Sequence, residues 1–197
     1  QEIHHSKVTF QQEYNEFILK EPQSKKWINP YFGGEDFIHN KLRKCLWLKD
    51  IKPDELKAMP LVLERIENVR KMRLNSKAEA TRKKSSTPYL FAQIAQPDSN
   101  FLAIPEVSSE RRKYIPIAFF DKNYIASNTV QLIPNANLYH FGIVTSLMHM
   151  SWVRYVCGRL KSDFRYSNSI VYNNFPWPET PSEKNIKLVE DKAQSVL

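Results

Sequence analysis

The segment over residues 137–158 constrains the fold of this chain more than any other. Placed on a helix, it carries apolar residues on nearly every face: Leu138, Phe141, Ile143, Val144, Leu147, Met148, Trp152 and Val156. A helix that is apolar on most faces has to be buried by other elements. Asn137 has the side chain of an N-cap, and Gly158 is expected to end the helix. The sequence therefore predicts one long buried helix over residues 137–156.

The residues before this helix have the pattern of a sheet. Short apolar runs separated by Pro, Asn, Asp and Ser lie at 89–94, 101–107, 114–120 and 124–126. Such spacing predicts a mixed or antiparallel sheet. A short strand is expected at 43–48, a turn-rich loop at 29–34, and helices at 9–20, 53–59 and 60–77, with Ser182 capping a last helix to Leu197. We therefore expect an α+β fold with the long buried helix and flanking helices.

The charge balance points to a polyanionic partner. Lys and Arg number 29 against 21 Asp and Glu, which gives a net charge of +8. Either nucleic acid or an anionic membrane would suit this excess, although charge alone leaves an ordinary basic protein equally open. No apolar run is long enough to span a bilayer. Cys45 and Cys157 are expected to be buried thiols in a reducing, cytoplasmic compartment.

The chain start gives no targeting signal. The first ten residues lack the apolar core of a signal peptide and a starting Met, so we expect a piece of a larger protein.

The motifs for catalysis are incomplete. Residues 29–32 are similar to the Asn-Pro-Pro-Tyr/Phe loop of amino-methylating DNA methyltransferases, but the second Pro is missing and no Gly-rich loop follows an expected strand. Glu55 and Lys57 have nuclease-like spacing, but they fall on a helical pattern. His140 and His149 lack ligand partners at metal-binding spacing. We expect no catalytic residue, no metal site and no bound cofactor in this chain.

A basic stretch is a candidate for contact with nucleic-acid phosphates. Its members are Arg70, Arg73, Lys77, Arg82, Lys83 and Lys84, and a second cluster with Arg111 and Arg112 lies at an expected turn. Phosphate contacts position a protein on DNA without reading its sequence. The alternative is a solvated helix face, the usual reason for such a run. We favour the interpretation that these residues contact the phosphate backbone of nucleic acid.

The stretch over residues 158–178 mixes charge signs. Lys161, Asp163 and Arg165 occur at every second position, so an extended segment would place them on one face. Lys or Arg can donate to guanine, and Asp can accept from the amino group of cytosine. Spacing alone favours an ordinary surface salt bridge. The aromatic-proline sequence at 175–178 is expected to anchor the stretch.

Much of the chain resembles the target-recognition domain of MmeI-like type IIL restriction–modification enzymes, over about residues 28–180. The shared motifs are YFGGED (31–36), Val69-Arg70 with Arg73 and Ser76, IPEVSSER (104–111), YIPI (114–117), LYHFG (138–142), Ser146 with Met148 and His149, Trp152 with Arg154, and the whole of 158–178. Their order and number carry the resemblance.

The resemblance implies a sequence-specific reader of double-stranded DNA with no catalysis of its own. Members of this family join a nuclease domain, a helical connector and an adenine-specific methyltransferase domain to the recognition domain. The methyltransferase domain of the same polypeptide would be a partner, and S-adenosylmethionine and Mg²⁺ would belong to other domains of a prokaryotic, cytoplasmic enzyme. Within this chain, we expect an N-terminal helical arm or connector over 1–26, the recognition domain over 27–180, and the start of a C-terminal helical segment over 181–197.

The resemblance also implies which residues read bases. In the family, the pair matching Lys161 and Asp163 helps to set the last base of the site, where Lys with Asp goes with G and Glu with Arg goes with C. The other positions implied to read bases are Glu106, Asn128, Thr129, Ser162 and Arg165. The alternative function is a basic docking module for a larger nucleic-acid enzyme, with the helix around Trp152 as its interface. Burial of the polar face over residues 161–165 would favour that alternative.

Overall fold

The structure, a computed structural model, describes residues 7–197, with side chains from Gln11 onward. The chain divides into two compact units. The first contains the residues up to Pro30 together with Arg43–Ala95, and the second contains Tyr31–Leu42 and Gln96–Leu197. The boundaries expected after residues 26 and 180 stay predictions.

The first unit is mostly helical. Its elements are α1 (Lys7–Lys20), a 3₁₀ helix (Pro22–Trp27), the start of strand β1 (Ile28–Phe32), β2 (Arg43–Leu46), α3 (Pro53–Lys57), α4 (Pro60–Leu74), α5 (Glu79–Lys83) and a second 3₁₀ helix (Lys84–Ser86). The helix expected over residues 9–20 lies within α1. The side chain of Phe10, which was expected on its apolar side, lies outside the described residues.

A buried carboxylate fixes the start of α4. Glu21 is 2% exposed, and its two oxygens accept from the backbone N–H groups of Leu61 and Val62, both at 3.0 Å. These N–H groups have no partner within the helix, and the helix dipole favours a negative charge at this end. Leu48, Met59 and Val62 form the small core beside it.

The second unit contains the remaining strands and helices. They are α2 (Gly34–Ile38), β3 (Phe101–Pro105), β4 (Val107–Ser108), β5 (Ala118–Phe120), β6 (Ile125–Ala126), β7 (Val130–Pro134), α6 (Leu138–Val144), α7 (Leu147–Val156), β8 (Gly158–Leu160), β9 (Asp163–Arg165), a π-helical turn (Asn168–Tyr172) and α8 (Glu183–Gln194).

Strand β3 is the centre of the main sheet of this unit. All five of its residues are buried, and it pairs antiparallel with β5 on one side and β7 on the other. A second small sheet has the order β4-β9-β8 and is antiparallel throughout. The end of β1 pairs in parallel with β6, through Tyr31 with Ile125 and Phe32 with Ala126. The predicted α+β class with mixed and antiparallel sheets is confirmed.

The single long helix predicted over 137–156 is wrong: the chain forms α6 and α7 instead. The Oγ1 of Thr145 donates to the carbonyl of Phe141 at 2.6 Å, and Ser146 takes an extended conformation. The Oγ of Ser146 then accepts from the N–H of His149 at 3.1 Å and so caps α7. A hydroxyl that bonds the backbone competes with continuation of a helix, which explains the break.

The break also changes which apolar residues are buried. Val153 is fully buried, whereas Leu147 is 59% exposed and Tyr155 is 92% exposed. The predicted N-cap Asn137 is confirmed, since its side chain accepts from the N–H of His140. Gly158 does not cap the helix: Cys157 follows α7 with φ −66°, and Gly158 begins β8.

Other expected elements differ in extent. Residues 29–32 form part of β1 and not a loop, and no strand forms over 89–94. Strand β7 lies after the last expected apolar run, which ends at residue 126. The predicted cap of the last helix is confirmed, because the Oγ of Ser182 accepts from the N–H of Asn185 at 3.3 Å. That helix ends at Gln194 and not at Leu197.

The two cysteines are free thiols. Cys157 is buried and Cys45 is half-buried, and burial raises the pKa of Cys45 to about 12. None of the helices within residues 7–197 has the length and apolar character needed to span a bilayer.

Helix α8 packs against α6 at Gly142. A Cβ placed on Gly142 would lie 2.6 Å from the Cγ1 of Val189 and 3.2 Å from the Cβ of Ala193. These distances leave no room for a side chain, so the two helices approach as closely as they do because this position is Gly.

Gly142→Ala is expected to destabilise the chain by about 1–3 kcal/mol, because the added methyl group overpacks the contact with α8. Helix propensity alone would act in the opposite direction by about 1 kcal/mol. Urea unfolding measures the difference. A second change, Val189→Ala, should restore part of the lost stability. Gly158→Ala is the control, since its Cβ would meet only the carbonyl of Arg165 at 3.7 Å. Equal stability of Gly142→Ala and the parent chain would contradict this packing.

Beneath the small sheet lies a buried histidine. His149 is 1% exposed, and its Nε2 lies 3.0 Å from the hydroxyl of Tyr166. Its Nδ1 has no hydrogen-bond partner among residues 7–197. Burial lowers the pKa of His149 to about 4, because a charged imidazolium would lose its hydration.

The free energy of unfolding should therefore fall as the pH drops from about 6.5 to about 4. In this window the unfolded chain binds a proton at His149 that the folded chain does not bind, with a slope of up to about 1.4 kcal/mol per pH unit. The contribution is complete above pH 6.5, and no further loss from His149 occurs below about pH 4. Urea unfolding across this window should show a shallower slope for His149→Gln, with the exposed His39→Gln as control. Identical slopes for both variants would show that His149 does not titrate in this way.

Candidate nucleic-acid interface

Strand β9 is the central strand of the small sheet and presents two different faces. Phe164 and Tyr166 are 3% and 1% exposed, whereas Asp163 and Arg165 lie on the opposite face. Successive side chains of a strand alternate between its faces, so burial of the two aromatic rings directs the two charged residues outward.

Lys161 does not share the extended conformation expected for it. Leu160 pairs with Asp163, so Lys161 and Ser162 form the two-residue turn between β8 and β9. Lys161 has a φ of 57°, in the left-handed region. Two-residue hairpin turns need such a conformation because their twist has to match the strands. Lys161 and Ser162 are both exposed at the tip of the hairpin.

The salt bridge favoured by spacing alone is not present. Within residues 7–197, no ion pair joins Lys161 to Asp163. Instead, the Oδ1 of Asp163 accepts from the backbone N–H of Glu110 at 3.3 Å. This bond ties β9 to the turn that carries Arg111 and Arg112.

Two of the predicted base-reading residues bind each other. The Nε of Arg165 donates to the Oε1 of Glu106 at 3.0 Å, and the side chains are 58% and 23% exposed. An exposed pair of this kind adds little stability. Its effect is positional: the contact takes one of the five donors of the guanidinium and holds the group above the sheet.

Thr129, a third predicted base-reading residue, accepts hydrogen bonds from the backbone of other segments. Its carbonyl accepts from the N–H of Glu106 at 2.8 Å, and its Oγ1 accepts from the N–H of Gly34 at 2.9 Å. The Oγ of Ser127 lies 2.7 Å from the same Oγ1. Asn128, between them, is exposed. Thr129 therefore fixes the loop from which Asn128 projects.

Gly33 and Gly34 follow β1 directly and begin α2. Protein atoms lie close to both. A Cβ on Gly34 would lie 2.8 Å from the carbonyl of Thr129, and one on Gly33 would lie 3.1 Å from the Oγ of Ser127. Both positions therefore suit Gly, because residues 127–129 approach them closely. Among residues 7–197, no three His, Cys, Asp or Glu side chains are placed to share a metal ion.

In the first unit, Arg73 is turned inward. It is 8% exposed and donates to the carbonyls of Lys84, Thr87 and Leu90 at 2.7–2.9 Å. The carbonyl of Lys84 lies in the second 3₁₀ helix, and the other two lie in the segment without regular secondary structure that follows it. The arginine predicted to contact phosphates thus holds this segment against α4.

Three further basic residues of this unit have protein partners. Arg82 donates through its Nη1 to the carbonyls of Ser76 and Lys77, both at 2.8 Å. Arg70 forms two 2.7 Å bonds to the carboxylate of Glu67, which lower the pKa of Glu67. The Nζ of Lys83 lies 2.9 Å from the Oε1 of Glu79.

Lys77 and Lys84 are the lysines of the set that are exposed and have no described partner. Neither has a hydrogen bond or ion pair from its side chain within residues 7–197. In the second unit, Arg111 is exposed and Arg112 is half-buried. These four residues are the predicted phosphate contacts with no described side-chain partner.

The geometry does not favour the docking alternative. Lys161, Ser162 and Arg165 are exposed, so the polar face is not buried against other elements. The Nε1 of Trp152 donates to the carbonyl of Val171 at 3.0 Å within the same unit. The ring of Phe175 lies 4.6 Å from that of His149, as expected of an anchor for the stretch.

Comparisons with known proteins agree on one family. A family model described as "MmeI, target recognition domain" matches residues 2–179. A protein of Bacillus subtilis (strain 168) named DNA methyltransferase A is 38% identical over 178 residues, which cover 90% of this chain and 20% of that protein. A solved structure of the type IIL restriction–modification enzyme MmeI in complex with DNA is 49% identical, with a TM-score of 0.90, and the likeness covers 94% of this chain and 25% of that one. The chain thus spans about a quarter or less of the length of these relatives.

Arg73→Met is expected to lower the free energy of unfolding by about 2–4 kcal/mol, because it leaves carbonyls in a half-buried segment without their charged donor. Lys77→Met removes the same charge from an exposed position and should change stability by less than about 0.5 kcal/mol. Urea unfolding of both variants separates the two roles. If Arg73→Met is as stable as Lys77→Met, Arg73 does not hold the segment.

Proposed function

The chain belongs to the family of MmeI target recognition domains, and on that basis we propose that it reads a base sequence in double-stranded DNA as the specificity domain of a larger restriction–modification enzyme. The observation that carries the proposal is the exposed, mixed-sign surface on β9 and its turn. Among residues 7–197, the pair between Arg165 and Glu106 is the ion pair formed by its charged side chains. A carboxylate near DNA is repelled by phosphates, so its presence on such a surface suits a specific base contact.

Reading of one G·C pair is proposed for the β8–β9 hairpin. Lys161 would donate to the O6 or N7 of guanine, and Asp163 would accept from the N4 amino group of cytosine. Oδ1 of Asp163 is held by the N–H of Glu110. Because a carboxylate has two oxygens and about four acceptor sites, it can accept from a base while this bond persists.

Arg165, Glu106, Asn128, Thr129 and Ser162 are proposed as the neighbouring base-reading positions. The pair between Glu106 and Arg165 would set the direction of the guanidinium before DNA arrives. Through its bonds to Gly34 and Glu106, Thr129 supports the exposed Asn128. An amide side chain can form a bidentate contact with adenine, which makes Asn128 a candidate for an adenine position.

Contact with the DNA backbone is proposed for the basic residues, with different contributions. The ammonium groups of Lys77 and Lys84 and the side chains of Arg111 and Arg112 are the ones to which phosphates would have direct access. Arg70, Lys83 and Arg82 would exchange or share their present partners. Arg73 would act through the segment that it holds.

The parent protein is proposed to methylate adenine in DNA. Its methyltransferase domain would contact this chain and take the target adenine out of the stack, since chemistry on a base requires flipping. S-adenosylmethionine and Mg²⁺ would be held by other domains of the polypeptide, in the cytoplasm of a prokaryotic cell. The residues described above would hold the duplex and select its sequence.

A selection of duplexes with random sequence, bound by the 197-residue chain at low salt with heparin as competitor, tests the proposal. The expected result is a preference for G over C at one position of roughly tenfold or more. The double variant Lys161→Glu, Asp163→Arg should reverse that preference while the other positions keep theirs.

The matched control is Lys187→Glu, Asp191→Arg on α8. It reverses the same two charges in an ion pair outside the hairpin, in which the Nζ of Lys187 and the Oδ1 of Asp191 lie 2.7 Å apart. It should leave the preference unchanged. An unchanged site in the hairpin variant would remove Lys161 and Asp163 from base reading. No preference for duplex DNA over heparin would reject the function and favour the docking module.

A further inference from the structure

The backbone of Lys161 is held in an unfavourable conformation. Within residues 7–197, three non-glycine residues have a positive φ, and the other two are Asn40 and Asn135. Asn adopts the left-handed region readily through bonds of its short side chain, whereas Lys does so at a cost. A residue persists in such a conformation only where its surroundings impose it. The two-residue connection between β8 and β9 imposes it here, and contacts across the turn would stabilise it further.

Arg159 supplies contacts of this kind. Its Nη1 donates to the carbonyl of Ser162 at 3.1 Å, across the two-residue turn. The centre of its guanidinium lies 4.1 Å from the centroid of the Phe164 ring, and that ring is buried. Stacking on an aromatic face with simultaneous donation from the edge is specific to the planar guanidinium. Arg159 thereby connects the tip of the hairpin to its buried base.

The same guanidinium also reaches the end of a helix. The Nη2 of Arg159 lies 3.4 Å from the carbonyl of Arg154 in the last turn of α7, where helix carbonyls lack partners within the helix. Arg154 in turn donates through its own Nη2 to the carbonyl of Lys113 at 2.9 Å. The turn that carries Arg111 and Arg112 and the turn that carries Lys161 are therefore both attached to the C-terminal end of α7.

We propose that Arg159 is a positioning residue for base reading: it fixes the Lys161–Ser162 turn to α7 so that Lys161 and Asp163 address the same base pair. This inference rests on the proposed function. The guanidinium centre lies over the Phe164 ring, and two of its five donors bond the carbonyls of Ser162 and Arg154, so its contacts in this structure are with the hairpin and α7. Without Arg159, the turn can relax to other conformations, and the ammonium of Lys161 would sample several directions.

Two measurements on the 197-residue chain separate positioning from phosphate contact. The first is the base preference found by selection from random duplexes. The second is the slope of log K against log salt for the selected duplex, which falls by about 0.9 for each lost phosphate contact. Arg159→Ala is expected to reduce the preference at the position read by Lys161 and Asp163 by roughly tenfold, with the salt slope unchanged. Arg159→Lys should recover part of the preference, because an ammonium can donate to Ser162 but cannot also stack as the guanidinium does.

Arg65→Ala is the matched control. Its guanidinium also lies over an aromatic ring, 4.7 Å from that of Phe17, in the first unit. The change removes the same charge and the same kind of contact, and both the preference and the salt slope should stay as in the parent chain. If Arg159→Ala does not fold, as judged by its thermal midpoint, Arg159→Met keeps apolar contact with Phe164 and removes only the donors.

The outcomes distinguish this inference from the proposed function. A parent chain with no base preference would reject the proposed function, and the inference would fall with it. A parent chain that selects its site, with Arg159→Ala and Arg159→Met selecting the same site equally well, would overturn the inference alone. A salt slope lowered by about 0.9 with the preference intact would show that Arg159 is a phosphate contact and not a positioning residue.

Discussion

Burial of Phe164 and Tyr166 is the constraint on which the candidate interface depends. The hydroxyl of Tyr166 lies 3.0 Å from the Nε2 of His149, and the backbone N–H of Tyr166 donates to the carbonyl of Glu106 at 2.7 Å. This edge of the small sheet is therefore fixed at two points. Because a strand alternates its faces, a slip of one residue would bury Asp163 and Arg165 and expose the rings. The cost of such a slip makes the register secure. A surface that has to present charged groups in fixed directions thus rests on an apolar contact beneath it.

Arginine and lysine have different uses in this chain. Arg73, Arg82, Arg154 and Arg159 each donate to backbone carbonyls at the ends of helices or in irregular segments. A guanidinium suits this work because its five donors point in fixed directions and its charge strengthens each bond. Of the 29 Lys and Arg side chains, these four therefore have some of their donors taken by the protein itself. Lys77, Lys84 and Lys161 are exposed instead, as expected of a strongly hydrated point charge on a flexible stem.

The fold could be predicted where the signal was local. The caps at Asn137 and Ser182 are bonds to residues three positions away, and the helix at Pro60 begins with a proline suited to a first turn. The α+β class followed from the change between strand and helix patterns. The apolar pattern continues across Ser146, so hydrophobic periodicity does not reveal the break, which depends on a hydroxyl that bonds the backbone. Spacing by two places Lys161 on an extended face because it assumes a strand, and the turn at Lys161 interrupts that strand.

By itself the sequence determined the family, the class of fold, and the alternation of charged and aromatic residues over 163–166. These depend on residue order and on neighbours within a few positions. Only the tertiary structure decided which charged side chains are bound by other parts of the protein and which are left to contact DNA. Arg165 meets Glu106 across 59 positions of sequence, Arg154 meets the carbonyl of Lys113 across 41, and Arg73 meets three carbonyls that follow it by 11–17. The energy of such contacts depends on distance in space, and the separation of residues along the chain does not encode it.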